Sequence, residues 1–118
     1  MAVPGRAGHV WIPTPWGLLR SSDGGTTFQR VTPTESIGEV GFGKAAPGER
    51  YPTVFVHGRV GGADGVFRSV DEGRTWLRIN TDAIQFATRN VITGDPRVFG
   101  RVYLGTNTRG ILVAYPVP

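Results

Sequence analysis

The chain has 118 residues, 39% of them apolar, with 18 Gly, 9 Pro and no Cys; it is long enough for one domain and too rich in turn formers for long helices. Its 13 basic and 9 acidic residues leave a net charge of +4, but the arginines form no run and accompany no recognition helix or RNA-binding aromatic signature, so no nucleic-acid partner is expected. Disulfide and thiolate chemistry are excluded, no apolar run approaches a membrane span, and no signal peptide is visible.

Short Val/Ile/Phe/Tyr/Trp runs between Gly and Pro predict an all-β chain. In order, strands are expected at His9–Ile12, Gly17–Arg20, Thr26–Val31, Ile37–Gly43, Thr53–Val56, Gly65–Arg68, Thr75–Asn80, Asn90–Gly94, Arg101–Leu104 and Gly110–Val113. The segment Gly17–Val31, GLLRSSDGGTTFQRV, returns as Gly65–Ile79, GVFRSVDEGRTWLRI, with seven of fifteen positions identical at an offset of 48. A repeat of this period signals stacked supersecondary units that cannot bury their apolar faces alone.

The repeat carries S-x-D-x-G-x-T-[WF] at Ser21, Asp23, Gly25, Thr27 and Phe28, and again at Ser69, Asp71, Gly73, Thr75 and Trp76. A tight connection between antiparallel strands needs a carboxylate to accept backbone N–H bonds, a glycine at positive φ and a hydroxyl as local partner. The aromatic then begins the next strand and covers the loop. These aspartates are read as turn chemistry, and the pattern resembles the Asp-box of β-propellers.

With blade strands lettered A to D from the axis outward, the chain runs B-C-D, A-B-C-D, A-B-C. Residues 1–34 make a partial blade, 35–81 a full one and 82–118 a partial one. About two and a half antiparallel blades cannot close a ring. The expected architecture is an incomplete β-propeller that belongs to a larger ring or is completed by self-association, a dimer first.

The segments VGFGKAAPGERYPTVFVHG (Val40–Gly58), GVFRSVDEGRTWLRIN (Gly65–Asn80) and ITGDPRVFGRVYLGTNTRGI (Ile92–Ile111) resemble the C-terminal end of xyloglucanases of glycoside hydrolase family 74. The likeness runs from Ala7 onward. It implies Asp-box propellers, a secreted protein and a plant cell-wall β-glucan partner, xyloglucan or cello-oligosaccharide. Family members invert at the anomeric centre with two aspartates upstream of the part represented here, and such a pair stands roughly 6.5–9.5 Å apart. None of the nine acidic residues aligns with either, so no catalytic residue is assigned and the chain is read as a non-catalytic β-glucan-binding or structural piece, with two alternatives: part of an inverting endo-β-1,4-glucanase whose catalytic aspartates lie outside this chain, or a self-assembling propeller fragment without a ligand. Where relatives read N-D-D-x-H-Q-[YW]-G, this chain has Asn80-Thr81-Asp82-Ala83-Ile84-Gln85-Phe86-Ala87. Ile84 replaces the histidine, while Gln85 and Phe86 remain.

Other chemistries lack their residues. His9 and His57 have no second ligand at metal spacing, and the Gly58–Gly65 run GRVGGADG lacks the Lys-Ser/Thr of a phosphate loop. No metal or cofactor is expected. In a propeller the B-to-C and D-to-A connections emerge on the face opposite the Asp-boxes. These are Pro13–Trp16, Thr32–Ser36, Gly58–Asp64, Thr81–Arg89 and Asn107–Arg109. Sugar rings stack on aromatics and their hydroxyls bond polar side chains, which selects Trp16, Asp82, Gln85, Phe86, Asn107 and Arg109 as candidate carbohydrate-binding residues.

Overall fold

The computed structural model describes residues 1–79, 89–106 and 110–114. Three antiparallel sheets follow one another along the chain. The first joins β1 (Val10–Thr14), β2 (Gly17–Ser21) and β3 (Gln29–Val31) in that order. The second runs β4 (Thr34–Gly43), β5 (Thr53–Val60), β6 (Ala63–Ser69) and β7 (Leu77–Arg78). The third runs β8 (Arg89–Gly94), β9 (Val102–Thr106) and β10 (Gly110–Ala114). Every neighbouring pair is a sequential antiparallel connection, which is the up-and-down order of propeller blades.

Two differences from the expected strands have local causes. β3 and β7 begin at Gln29 and Leu77, after the aromatics rather than with them, because the box aspartates hold the amides of Thr27 and Thr75 in the turn. The Gly58–Asp64 connection shrinks to two residues, since Val60 pairs with Ala63. Gly61 and Gly62, at φ 59° and 84°, make the primed turn that a twisted hairpin favours.

The inner strands approach closely. A Cβ on Gly41 of β4 would meet the Ile92 carbonyl of β8 at 2.2 Å, and one on Gly94 would meet Gly43 Cα at 2.5 Å. Glycine is what lets the second and third sheets touch backbone to backbone. Trp11, Leu18, Val31, Ile37, Val40, Phe42, Tyr51, Val54, Val56 and Phe67 fill one core between the first two sheets. Phe55, Val66, Ile92 and Val102 fill another between the second and third. The inner edge of the first sheet, expected to be open, is partly covered: Ala2 bridges Val10, and Trp11 exchanges backbone hydrogen bonds with Met1 at 2.9 and 2.6 Å.

Candidate carbohydrate-binding face

The two box turns share one construction. In the first, Ser21 Oγ donates to Asp23 Oδ1 at 2.6 Å and accepts the Gly25 amide at 3.0 Å. Asp23 accepts the Thr27 amide at 2.9 Å and the Thr27 hydroxyl at 2.5 Å. In the second, Ser69, Asp71, Gly73 and Thr75 repeat these bonds at 2.8, 2.8, 2.9 and 2.6 Å. Donation from Ser21 first, then from the Thr27 hydroxyl and amide, lowers the Asp23 carboxyl to about 2. Burial pushes Asp71 up, but the bonds from Thr75 and Ser69 together outweigh it, leaving that carboxyl below its ordinary value. A carboxylate held ionised by three donors is a structural anchor rather than a proton-transfer group.

Around the second box lies a hub that the sequence reading did not single out. Trp11, fully buried, donates from Nε1 to the Tyr51 hydroxyl at 2.9 Å, and His9 Nδ1 lies 2.9 Å from the same oxygen. Gly73, at φ 86°, brings the turn within reach of the Trp11 ring, where a Cβ would stand 3.1 Å from its edge. Asp95 forms a third anchor. It is 1% exposed and takes the amides of Arg97 and Val98 and the Tyr103 hydroxyl at 2.8–3.3 Å. Led by the Arg97 amide and then Tyr103, these donors draw its carboxyl down to about 2.

On the opposite end of the first two sheets the β1–β2, β3–β4 and β5–β6 connections are short and contiguous. Thr14 and Gly17 close the β1–β2 hairpin around Pro15 and Trp16. The Thr14 hydroxyl donates to the Gly17 carbonyl at 2.6 Å and accepts the Trp16 amide at 3.2 Å. Behind this hairpin, Leu18 donates to Thr34 Oγ1 at 2.9 Å and Arg30 donates to the Thr34 carbonyl at 2.6 Å. The Thr32-Pro33 connection in turn accepts the Gly61 amide on the Pro33 carbonyl at 3.1 Å. One hydrogen-bonded surface thus joins the turns of the first two sheets.

Trp16 stands at the tip of this surface, 79% exposed. Its backbone is fixed by Thr14 while its indole faces solvent, an arrangement suited to stacking on a flat apolar partner. Farther along, Arg59 lies between Glu35 and Asp64 at 3.4 and 3.6 Å, so Asp64 is an ion-pair partner. Asp82, Gln85, Phe86, Asn107 and Arg109 lie outside the described residues. The carboxylates of Asp23, Glu35, Asp64, Asp71, Glu72 and Asp95 all have hydrogen-bond or ion-pair partners, and Glu39 sits 3.3 Å from His57. No group of three or more potential metal ligands occurs among the described residues.

No protein-family model matches the chain. A xyloglucanase of Paenibacillus sp. is 48% identical over 122 residues, covering 98% of this chain and 12% of that enzyme. The xyloglucanase Xgh74A of Acetivibrio thermocellus is 50% identical over 117 residues, covering 98% and 14%. The chain therefore spans only about one seventh of these relatives' length. Among solved structures, a glycoside hydrolase family 74 enzyme of Niastella koreensis superposes with a TM-score of 0.91 at 42% identity over 97% of this chain and 17% of that one. The family 74 xyloglucanase of Xanthomonas campestris gives 0.84 at 43% over 97% and 16%. YCF48 of Cyanidioschyzon merolae, at 20% identity and a TM-score of 0.66 over 97% of this chain and 32% of that one, shares the fold alone. In sequence over nearly its whole length, and in the order and geometry of its sheets, the chain corresponds to the C-terminal region of the xyloglucanases of glycoside hydrolase family 74.

Proposed function

We propose that this chain forms part of the substrate-facing wall of a xyloglucanase-type propeller, binding β-1,4-glucan of the xyloglucan type without cleaving it. The observation that carries the reading is Trp16, an exposed indole on a rigid hairpin tip on the face opposite the Asp-boxes. The similarity to xyloglucanases supplies the substrate class. Asp82, Gln85 and Phe86, between β7 and β8 in sequence, and Asn107 and Arg109, between β9 and β10, are proposed to add polar and stacking contacts on the same face, because antiparallel alternation brings those connections out at that end. The engaged carboxylates favour assigning bond cleavage in a complete enzyme to aspartates outside this chain.

Titration of the protein with xyloglucan and cello-oligosaccharides, followed by tryptophan fluorescence and calorimetry, tests the reading. Trp16→Ala is expected to weaken xyloglucan-oligosaccharide binding about tenfold with an unchanged melting temperature, the upper range for one lost stacking contact. Binding that survives Trp16→Ala at full strength, or no binding by the wild type, overturns it.

A further inference from the structure

The hairpin that carries Trp16 is met by a side chain from the outer strand of the same sheet. Arg30 of β3, one position before the strand ends, reaches across to the β3–β4 connection and donates from Nη2 to the Thr34 carbonyl at 2.6 Å. Its path runs past Gly17, where the backbone turns at φ 129° and an added Cβ would stand 3.0 Å from Arg30 Nε and 3.0 Å from the Thr34 carbonyl oxygen. Glycine directly after Trp16 therefore leaves the space through which the guanidinium reaches the hairpin. An arginine offers several N–H donors in one plane, and the bond to Thr34 engages one of them. Arg30 is exposed and has no carboxylate partner among the described residues.

Arg59, farther along the same surface, is the contrast: Glu35 and Asp64 flank its guanidinium at 3.4 and 3.6 Å, so its donors are taken up within the fold. Arg30 combines a fixed anchor with spare donors, beside the residue next to the exposed indole. A neighbouring sheet does not close over such a position. Arg78, its counterpart 48 residues on, pairs with Phe67 of the core between the first two sheets and is nevertheless exposed. An indole supplies stacking area with little hydrogen-bond direction, whereas a planar fork of N–H groups bonds two adjacent oxygens in a set orientation. We infer that Arg30 is a second sugar contact of the Trp16 site, donating to neighbouring hydroxyls of a β-glucan whose ring stacks on the indole. The inference rests on Trp16 as the stacking platform and adds the group that fixes the sugar's orientation on it.

The test titrates the whole chain, labelled with ¹⁵N-tryptophan, with a xyloglucan oligosaccharide. Arg30→Ala is expected to weaken binding about tenfold. The Trp16 indole signal of the free variant should stay at its wild-type position, because Thr14 still closes the hairpin. Arg30→Lys keeps the charge and loses the planar fork, so it should recover little of the affinity. High salt should leave wild-type binding unchanged, since sugar hydroxyls carry no charge to screen. Unchanged affinity of Arg30→Ala, full recovery by Arg30→Lys, or wild-type affinity that falls with salt overturns the inference. A Trp16 signal displaced in free Arg30→Ala also overturns it, because Arg30 would then brace the hairpin instead of touching the sugar. A loss on Trp16→Ala without one on Arg30→Ala refutes the Arg30 contact and leaves the stacking reading standing, whereas a wild type that binds no oligosaccharide overturns both.

Discussion

Replacing the three tryptophans one at a time separates their roles by burial. Trp11 is fully buried, donates to Tyr51 and lies under Arg20. Removing some 150–250 Å² of buried aromatic surface at roughly 25 cal/mol/Å² costs about 4–6 kcal/mol, in line with the roughly 3–5 kcal/mol typical of Trp→Ala in cores. The cation–π contact with Arg20 adds about 0.5–1 kcal/mol. The Tyr51 hydroxyl keeps its His9 partner, so it adds no orphaned group. A domain with about 5–15 kcal/mol in total has little margin against such a loss, which makes Trp11→Phe the readable variant; it keeps most of the area, loses the N–H bond and should cost about 1–3 kcal/mol. Trp76 is half-buried with its N–H unpartnered. Trp76→Ala should therefore cost about 2 kcal/mol, and Trp76→Phe should be nearly neutral because it removes a donor without an acceptor. Trp16→Ala should stay within about 0.5 kcal/mol. Urea titration followed by far-ultraviolet circular dichroism measures all of these through the shift in midpoint at constant slope. A Trp76→Phe loss equal to that of Trp11→Phe, or a Trp16→Ala loss above about 1 kcal/mol, would refute the packing described here.

Acid should unfold the chain through its box and loop carboxylates. Asp23 and Asp95 sit at about 2 in the fold against an ordinary 3.8, and Asp71 is lowered too; their contribution is fully present above about 4 and is lost as the pH falls towards 2. Melting temperatures between pH 5 and 2 should drop steeply, and less steeply relative to pH 5 for Asp95→Asn; parallel profiles for wild type and variant would contradict this. Gly41→Ala places a methyl 2.2 Å from the Ile92 carbonyl oxygen, so it should destabilise by about 3 kcal/mol or more, and a thermal melt matching wild type would show that the two inner strands do not meet. Reducing-sugar release from xyloglucan by the purified chain should be absent, and its appearance together with loss on Asp64→Asn would overturn the non-catalytic reading. Light scattering at micromolar concentration should give a mass above that of one chain, since the first sheet lacks an inner strand, with its edge only partly covered by Met1 and Ala2, and the third, among the described residues, lacks an outer one; a cooperatively folded monomer would remove self-association from the proposal.

The all-β class and the places of the strands and box turns among the described residues were legible in the sequence alone, because both rest on local chemistry. The Gly17–Val31 repeat fixes where each hairpin turns, and serine, aspartate, glycine and threonine at the box spacing can satisfy their own backbone without help from elsewhere. Trp16 was legible as a tip residue because Pro15 and Gly17 flank it. What sequence could not supply was everything set by the contact of one sheet with the next. Gly41 and Gly43 read as ordinary strand glycines until the third sheet places Ile92 and Gly94 against them. Trp11 and Trp76 are both aromatics next to strand residues, yet one is a fully buried hub and the other lines an open groove. That distinction depends on Tyr51 and Gly73 arriving from distant positions. Arg20 and Arg68 share an Arg-Ser-x-Asp context, yet in the fold Glu72 seats on the first, 3.2 Å from its guanidinium, while the second lies over the Phe99 ring. Local hydrogen-bonding patterns are written in neighbouring residues, whereas packing between blades is a property of surfaces that meet only after the chain has folded.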